Sequence, residues 1–120
     1  MSFRNTAKQR NRVRRLKFRR AQLEKRLLSD KPMVAGSLIE RRFRPEGPVC
    51  YYLSIPTPQN SWHRYVRNEE LEYYRKRAQS WQEFVGTMAE WVQVSKATER
   101  ELRALGKGRC EKLEIRRGKK

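Results

Sequence analysis

The chain has 120 residues, of which 37% are hydrophobic, and a formal net charge of +17. The length favours a single domain, 1–120, and the low apolar content excludes a thick globular core. The polar, basic start and the lack of a long apolar run predict neither a signal peptide nor a membrane span, and we expect a cytoplasmic protein with reduced thiols. Because so large a charge repels itself, it indicates a polyanionic partner, with nucleic acid ahead of an anionic membrane and an acidic protein.

Residues 6–29 are predicted to form a basic helix that Thr6 caps. One face has apolar residues at heptad spacing with one arginine among them: Val13, Leu16, Arg20, Leu23 and Leu27. Glu24 is the only acid between Arg4 and Ser29. Because like charges three and four residues apart destabilise a helix, we predict that its first half, residues 4–17, frays until a polyanion neutralises it.

The central part of the chain, 34–66, is predicted to form a three-stranded antiparallel meander. Its second strand alternates apolar and polar residues, and the preceding turn has proline second and glycine fourth, typical of type I. We expect the apolar face to rest on the start of the following helix, near Leu71 and Tyr74. The strands are predicted at 34–43, 49–55 and 62–66, joined by the turn 44–47 and the loop 56–60.

Residues 68–105 are predicted to form one long helix, capped by Asn68 and stopped by Gly106, with a basic tail at 107–120. Gly86 predicts either a kink or the close approach of another backbone. The heptad positions are mostly apolar: Leu71, Tyr74, Ala78, Trp81, Val85, Met88, Val92, Ser95, Glu99 and Leu102.

These elements predict an α+β, mainly α fold. The basic N-terminal helix and the long C-terminal helix form an antiparallel hairpin or coiled coil, and the small meander is inserted between them. The first helix, about 34 Å long, is too short to cover a partner of about 55 Å. The uncovered apolar length, widened by Phe84 and Trp91 beside the stripe, predicts a protein partner or a homo-oligomer.

The middle of the chain, roughly residues 33–105, resembles an uncharacterised family of small prokaryotic hypothetical proteins, some encoded near mobile elements. The motifs that carry this resemblance are Gly36-Ser37-Leu38-Ile39-Glu40-Arg41-Arg42, Gly47-Pro48, Tyr51-Tyr52-Leu53, and Tyr65-Val66 leading into the long helix. Members of that family usually have a cluster of cysteines in the first turn, which looks like a metal site. Here the turn is 44–47 with only Cys50 nearby, so the resemblance implies no metal site in this chain.

The residues themselves predict no metal, no cofactor and no enzyme activity. Cys50, Cys110 and His63 are isolated soft ligands, whereas structural zinc needs four ligands, usually in closely spaced pairs. No base is framed beside a nucleophile, and no glycine-rich phosphate loop is present. We expect Cys50 to pack in the meander and His63 to lie on a strand surface.

The arginine-rich helix indicates nucleic-acid binding, because a merely solvated helix usually mixes charges of both signs. Arginines around most of a helix suit folded RNA, so we favour RNA over DNA and predict a subunit of a nucleoprotein complex. The candidate binding residues are Arg4, Lys8, Arg10, Arg12, Arg14, Arg15, Lys17, Arg19, Arg20, Arg41, Arg64, Arg67, Arg109, Arg116 and Arg117. Trp62 and Tyr65 are candidates for base stacking, with a place in the small core as the alternative.

Two other functions stay open. The first is a DNA-binding accessory protein of a mobile element, which depends mainly on the resemblance. The second is a coiled-coil adaptor whose charge matches an acidic protein partner. A membrane-surface role is disfavoured, because the basic helix has no wide apolar face.

Overall fold

Two helices flank a three-stranded sheet in the chain order, which confirms the predicted α+β, mainly α fold. The structure is a computed structural model that describes the backbone of residues 3–113 and the side chains from Ala7 onward. None of the helices in this part of the chain combines the length and the apolarity needed to cross a membrane. The elements are α1 (Phe3–Leu27), β1 (Ser37–Arg41), β2 (Cys50–Pro56), β3 (Ser61–Val66), a 3-10 turn (Asn68–Glu70) and α2 (Leu71–Gly108).

The chain groups into two compact units. The helical unit consists of Met1–Glu24 and Glu90–Lys120, and the sheet unit consists of Lys25–Ala89. That the whole chain, 1–120, folds as a single domain stays a prediction.

In the helical unit, α1 and α2 pack against each other as an antiparallel pair, as predicted. Leu23 is fully buried and Val13 nearly so. On α2 the buried Thr98 donates a hydrogen bond of 2.8 Å from Oγ1 to the backbone oxygen of Val94, so its hydroxyl can be buried without losing a partner. The hairpin is therefore held by a narrow apolar seam with a satisfied polar residue in it.

The predicted heptad positions are wrong in part of this unit. Glu99 and Leu102 were expected in the seam but are exposed, whereas the preceding Thr98 and Glu101 are buried or half-buried. The prediction assumed one unbroken 3.5-residue repeat, and such a repeat keeps to one helix face only where helices supercoil. Half-buried neighbours at the positions actually used include Trp91, Val94 and Leu105.

In the sheet unit, the strands pair antiparallel in the order β1-β2-β3. Leu53 in the central strand is opposite Leu38 on one side and Arg64 on the other. Leu53, Val66 and Ala78 form the buried core, and the half-buried side chains packed on it include Leu71 and Tyr74. The predicted contact between the sheet and the start of the long helix is thus confirmed.

Gly36 is required by this packing. A Cβ atom at this position would lie 2.7 Å from the backbone oxygen of Ser54. Because that oxygen belongs to β2, relief would need a shift of the strand itself.

Several element ends differ from the prediction. Helix α1 begins at Phe3, so Thr6 lies within it and does not precede it, and it ends at Leu27 and not near Ser29. Strand β1 is shorter than predicted, β2 is offset by one residue and β3 begins one residue earlier, as expected for boundaries that sequence specifies weakly. The type I turn is supported by a 3.0 Å hydrogen bond from Gly47 N to the backbone oxygen of Arg44.

The ends of α2 were also predicted incorrectly. At its start the side chain of Glu70, not Asn68, reaches back and accepts a hydrogen bond of 3.3 Å from the Arg67 backbone N–H. Gly106 lies inside the helix, which continues to Gly108, so the predicted tail starts two residues later than position 107. The helix also runs unbroken through Gly86, where an added Cβ would meet nothing within 4 Å, so no close backbone approach explains that glycine.

Candidate nucleic-acid interface

The buried face of α1 leaves most of its cations on the surface. Val13 and Leu23 turn inward, and the half-buried Gln9, Leu16 and Arg20 share their face. The side chains of six candidate binding residues are exposed, and Arg19 and Arg20 are half-buried. The exposed six are Lys8, Arg10, Arg12, Arg14, Arg15 and Lys17. Arg4 is a helical position of α1.

Arg19 and Arg20 make contacts within the protein. Arg19 donates two hydrogen bonds to one carboxylate oxygen of Glu90, from Nε at 2.8 Å and from Nη2 at 2.6 Å. Arg20 lies over the Trp91 ring, 5.2 Å from its centroid, and 3.6 Å from the carboxylate of Glu24. The same carboxylate accepts a 3.1 Å hydrogen bond from the Trp91 indole. Both arginines therefore help to hold the hairpin together.

Arg12 occupies an intermediate position. Its guanidinium lies 3.7 Å from the Glu101 carboxylate, and its side chain is more than half exposed. Glu99 pairs with Arg103 of its own helix, whereas Glu101 faces α1.

Between positions 8 and 17 of α1, five cations form no ion pair with any side chain of residues 7–113. We call them the α1 basic surface: Lys8, Arg10, Arg14, Arg15 and Lys17. Residues 10, 14 and 17 follow one another at helical spacing along one flank, and 8 and 15 lie on the other side. Because no ion pair among residues 7–113 neutralises them, these side chains add positive charge to both flanks of the exposed side of α1.

Phe18 lies between these two rows of cations, and sequence reasoning missed it. Its side chain is 67% exposed, although it is large and apolar. It follows Arg14 by four residues and Arg15 by three, which places all three on the outer side of α1. The signal was available, because the heptad of Val13 and Leu16 leaves position 18 on the opposite side of the helix.

The remaining candidate arginines are spread over both units. Arg41, Arg64, Arg67 and Arg109 are all exposed. Arg64 lies 3.5 Å from the carboxylate of Glu70 and 5.2 Å from the centroid of the Tyr74 ring, so it too has contacts within the protein. Arg116 and Arg117 lie outside the described residues.

The two stacking candidates lie on opposite faces of the sheet. Trp62 pairs with Ile55, on the face that packs against α2, and remains about half exposed at its margin. Tyr65 pairs with Tyr52 on the other face, and the two rings meet edge to face at 5.6 Å. Adjacent residues of a strand point in opposite directions, so these two aromatic rings cannot form one stacking platform.

The two residues predicted to meet a partner are both half-buried. Phe84 stacks on Trp81 with ring centroids 5.8 Å apart, and Trp91 contacts Arg20 and Glu24. Nearby on α2, Val85 and Met88 are more exposed, at 44% and 39%. Partner binding through α2 stays a prediction.

Within residues 3–113 no cluster of three or more histidine, cysteine or acidic side chains has a geometry that would hold a metal ion. Cys50 and Cys110 are both free thiols. Cys50 is half-buried in β2, and His63 lies exposed on β3, as predicted for each.

No family model, curated protein or solved structure matches the chain. The resemblance to small prokaryotic proteins stays a prediction.

Proposed function

We propose that the protein is a non-enzymatic, nucleic-acid-binding protein that binds structured RNA as a cytoplasmic subunit of a nucleoprotein complex. The α1 basic surface supplies the main contacts to phosphate. Phe18 adds an apolar contact in the middle of that surface, where it can pack on a sugar or an unstacked base.

The observation that supports this proposal most directly is the segregation of charge on α1. Arg12, Arg19 and Arg20 face acids or an aromatic ring of the same unit. The α1 basic surface, in contrast, has no such partners among residues 7–113. Cations that the fold does not use remain available for phosphates, whose neutralisation releases condensed counterions.

RNA is favoured over duplex DNA by the distribution of these cations. They lie on two sides of one helix, and a folded RNA brings phosphates to a helix from several directions. Specific reading of the DNA major groove usually needs a few polar side chains on a rigidly held helix, with its first turns at the base edges. The first turns of α1 are instead rich in cations.

The proposal is tested by the salt dependence of binding to a fluorescently labelled RNA hairpin. We expect affinity to fall steeply between about 50 and 200 mM salt. The triple variant Arg14→Gln, Arg15→Gln, Lys17→Gln should weaken binding and lower the salt slope by about 2 to 3, because three phosphate contacts are lost.

A matched control removes the same charge elsewhere. The triple variant Lys76→Gln, Arg103→Gln, Lys107→Gln changes exposed positions of α2. It should keep most of the salt slope. Equal losses in the two triple variants would show that net charge, and not the α1 basic surface, governs binding, and salt-independent binding of the unmodified protein would contradict the phosphate mechanism.

A protein partner or a homo-oligomer through the long helix is a second part of the proposal. It is favoured by Val85 and Met88, which are three residues apart on α2 and exposed in the sheet unit. Val85→Glu together with Met88→Glu should then abolish self-association in sedimentation experiments. If the unmodified protein is a monomer at all concentrations, the long helix does not form a homo-oligomer, and the partner is a different protein.

The other two functions are separated by direct competition. Duplex DNA that displaces the RNA hairpin at equal salt would favour the DNA-binding accessory of a mobile element. Deletion of residues 1–20 should abolish RNA binding, whereas an adaptor for an acidic protein would keep its partner.

A further inference from the structure

One face of the sheet is free of the core. Leu38, Leu53 and Val66 point toward α2 and are buried or half-buried. The opposite face has the side chains of Arg41, Tyr52, His63 and Tyr65, and we call these four residues the open sheet face. Tyr65 is 53% exposed, and Arg41 and His63 are exposed as well. A half-exposed tyrosine on an edge strand buries less apolar area than a core residue does, and its ring remains accessible to a ligand.

The four side chains are linked by contacts in a row that runs from Tyr65 through Tyr52 and Arg41 to His63. The Tyr65 ring meets the Tyr52 ring edge to face, with an interplanar angle of 71°. The guanidinium carbon of Arg41 lies 5.4 Å from the centroid of the Tyr52 ring. Because Arg41 lies over the half-buried Tyr52 ring, the half-exposed Tyr65 is the more accessible ring of the pair.

Arg41 is further oriented by His63. Its Nη2 lies 3.4 Å from Nδ1 of His63, and Nε2 of the same ring lies 3.4 Å from Oγ of Ser61. Because arginine has only donors, Nδ1 of His63 is the acceptor in this contact. Arg41 is therefore held at the edge of the aromatic pair, and its contact with His63 involves only the Nη2 nitrogen of the guanidinium.

The charge of this face suits an anion. Glu40 is the only acid in the three strands, and it points to the other face, opposite Tyr51. No carboxylate therefore occupies a strand position on the open sheet face. A flat aromatic ring beside a cation, without a nearby acid, fits a nucleobase and its phosphate better than it fits a positively charged or a purely apolar partner.

We propose that the open sheet face binds unpaired nucleotides of single-stranded RNA. A base stacks on the Tyr65 ring, and Arg41 binds the adjoining phosphate. Exposed aromatic rings on an antiparallel sheet bind bases in this way with little dependence on sequence, because each base has a π face. The inference rests on the proposed function for the class of ligand, but it uses a different unit and different residues.

The test compares two labelled RNAs, a short single strand and a hairpin without unpaired ends, on the full chain. Tyr65→Leu keeps an apolar side chain that suits a strand but removes the ring, and we expect it to weaken single-strand binding about 5- to 100-fold. Tyr65→Phe keeps the ring and should bind like the unmodified protein. Tyr73→Leu is the matched control, since Tyr73 is a tyrosine of the same exposure but lies on α2, and it should change binding little.

A second measurement does not depend on the fold tolerating a substitution. Ultraviolet crosslinking of the unmodified protein to the single strand, followed by peptide mapping, should place the crosslink in β2 or β3, at Tyr52 or Tyr65. Crosslinks confined to α1, or unchanged single-strand affinity in a folded Tyr65→Leu variant, would overturn the proposal.

The two proposals fail in different ways. If the protein binds the hairpin, and binding of the single strand does not depend on Tyr65, only the proposal about the open sheet face is refuted. If binding of the single strand depends on Tyr65, and the triple substitution in α1 does not change RNA binding, the proposal about the α1 basic surface is refuted. The proposal about the open sheet face is then supported. If neither RNA binds in dilute buffer, both proposals are refuted.

Discussion

Arg19 donates two hydrogen bonds to a single carboxylate oxygen of Glu90, across a separation of 71 residues in the chain. The pair joins α1 to α2 within the helical unit, and both side chains are only partly exposed. This contact divides the arginines of α1 into those that stabilise the hairpin and those that remain available for a ligand. Sequence composition alone gives all of them the same role.

Replacing Arg19 should lower the stability of the protein without weakening its binding to RNA. Arg19→Gln should lower the free energy of unfolding by about 0.5 to 1 kcal/mol, because a partly exposed ion pair is screened by solvent even with two hydrogen bonds. It should leave the salt slope of RNA binding nearly unchanged. Urea unfolding followed by circular dichroism measures the first effect, and fluorescence anisotropy measures the second.

Arg14→Gln serves as the comparison, since it also removes one charge from α1. It should leave the free energy of unfolding unchanged and reduce the salt slope by about 1. If the two variants behave alike in both measurements, the division of the α1 arginines into two groups is incorrect.

The two glycines with the most different surroundings predict opposite effects of alanine. Gly86→Ala should stabilise the protein by about 0.5 to 1 kcal/mol, because the position is helical and an added Cβ meets nothing. Gly36→Ala should destabilise it by about 1 to 3 kcal/mol, because the Cβ would collide with the Ser54 backbone oxygen. Thermal unfolding of both variants measures the effects, and destabilisation by Gly86→Ala would indicate a bend or a contact at that residue.

The sequence predicted the fold better than it predicted the site. Alternation through Tyr51, Leu53 and Ile55 identified the core face of the sheet, because a strand exposes and buries alternate residues. Phe18 was missed, since the analysis of α1 followed its charges and its seam and not the side opposite the seam. The partners of Arg19 and Arg20 were not predictable, because they depend on how two distant helix segments meet.

The same reasoning explains the error at the stacking candidates. Trp62 and Tyr65 were grouped because both are aromatic and close to arginines in the sequence. Because Trp62 and Tyr65 are three residues apart in one strand, their side chains lie on opposite faces of the sheet. The strand register pairs Tyr65 with Tyr52. Residue type identified a possible interaction, but only strand pairing decided which side chains share a surface.

Binding of RNA should increase the order of α1. The helix spans Phe3–Leu27, but its first turn has no acid to balance the dipole and cations crowd its first half. We expect the unbound protein to show less helical circular dichroism than the structure implies, and RNA to raise it through residues 4–17. Neutralisation by phosphate removes the repulsion between like charges.

The deletion of residues 1–17 provides the control for this measurement. The shortened protein should show no gain of helical signal with RNA, even at concentrations that saturate the full chain. An equal gain in both proteins would place the ordering elsewhere, and no gain in the full chain would mean that α1 is already fully formed.

Phe18 should contribute to RNA affinity without contributing to stability. Its side chain is two-thirds exposed, so Phe18→Ala removes little buried apolar area, and the free energy of unfolding should change by less than about 0.5 kcal/mol. If the ring packs on an unstacked base, hairpin affinity should fall by about 5- to 30-fold at every salt concentration, because stacking releases no counterions. The salt slope should therefore stay the same, which distinguishes this variant from Arg14→Gln.

Leu28→Ala is the comparison for Phe18→Ala. Leu28 is an exposed apolar residue beyond the end of α1, and its replacement should have no effect on affinity. Loss of binding in both variants would indicate general apolar adhesion and not a contact at the α1 basic surface.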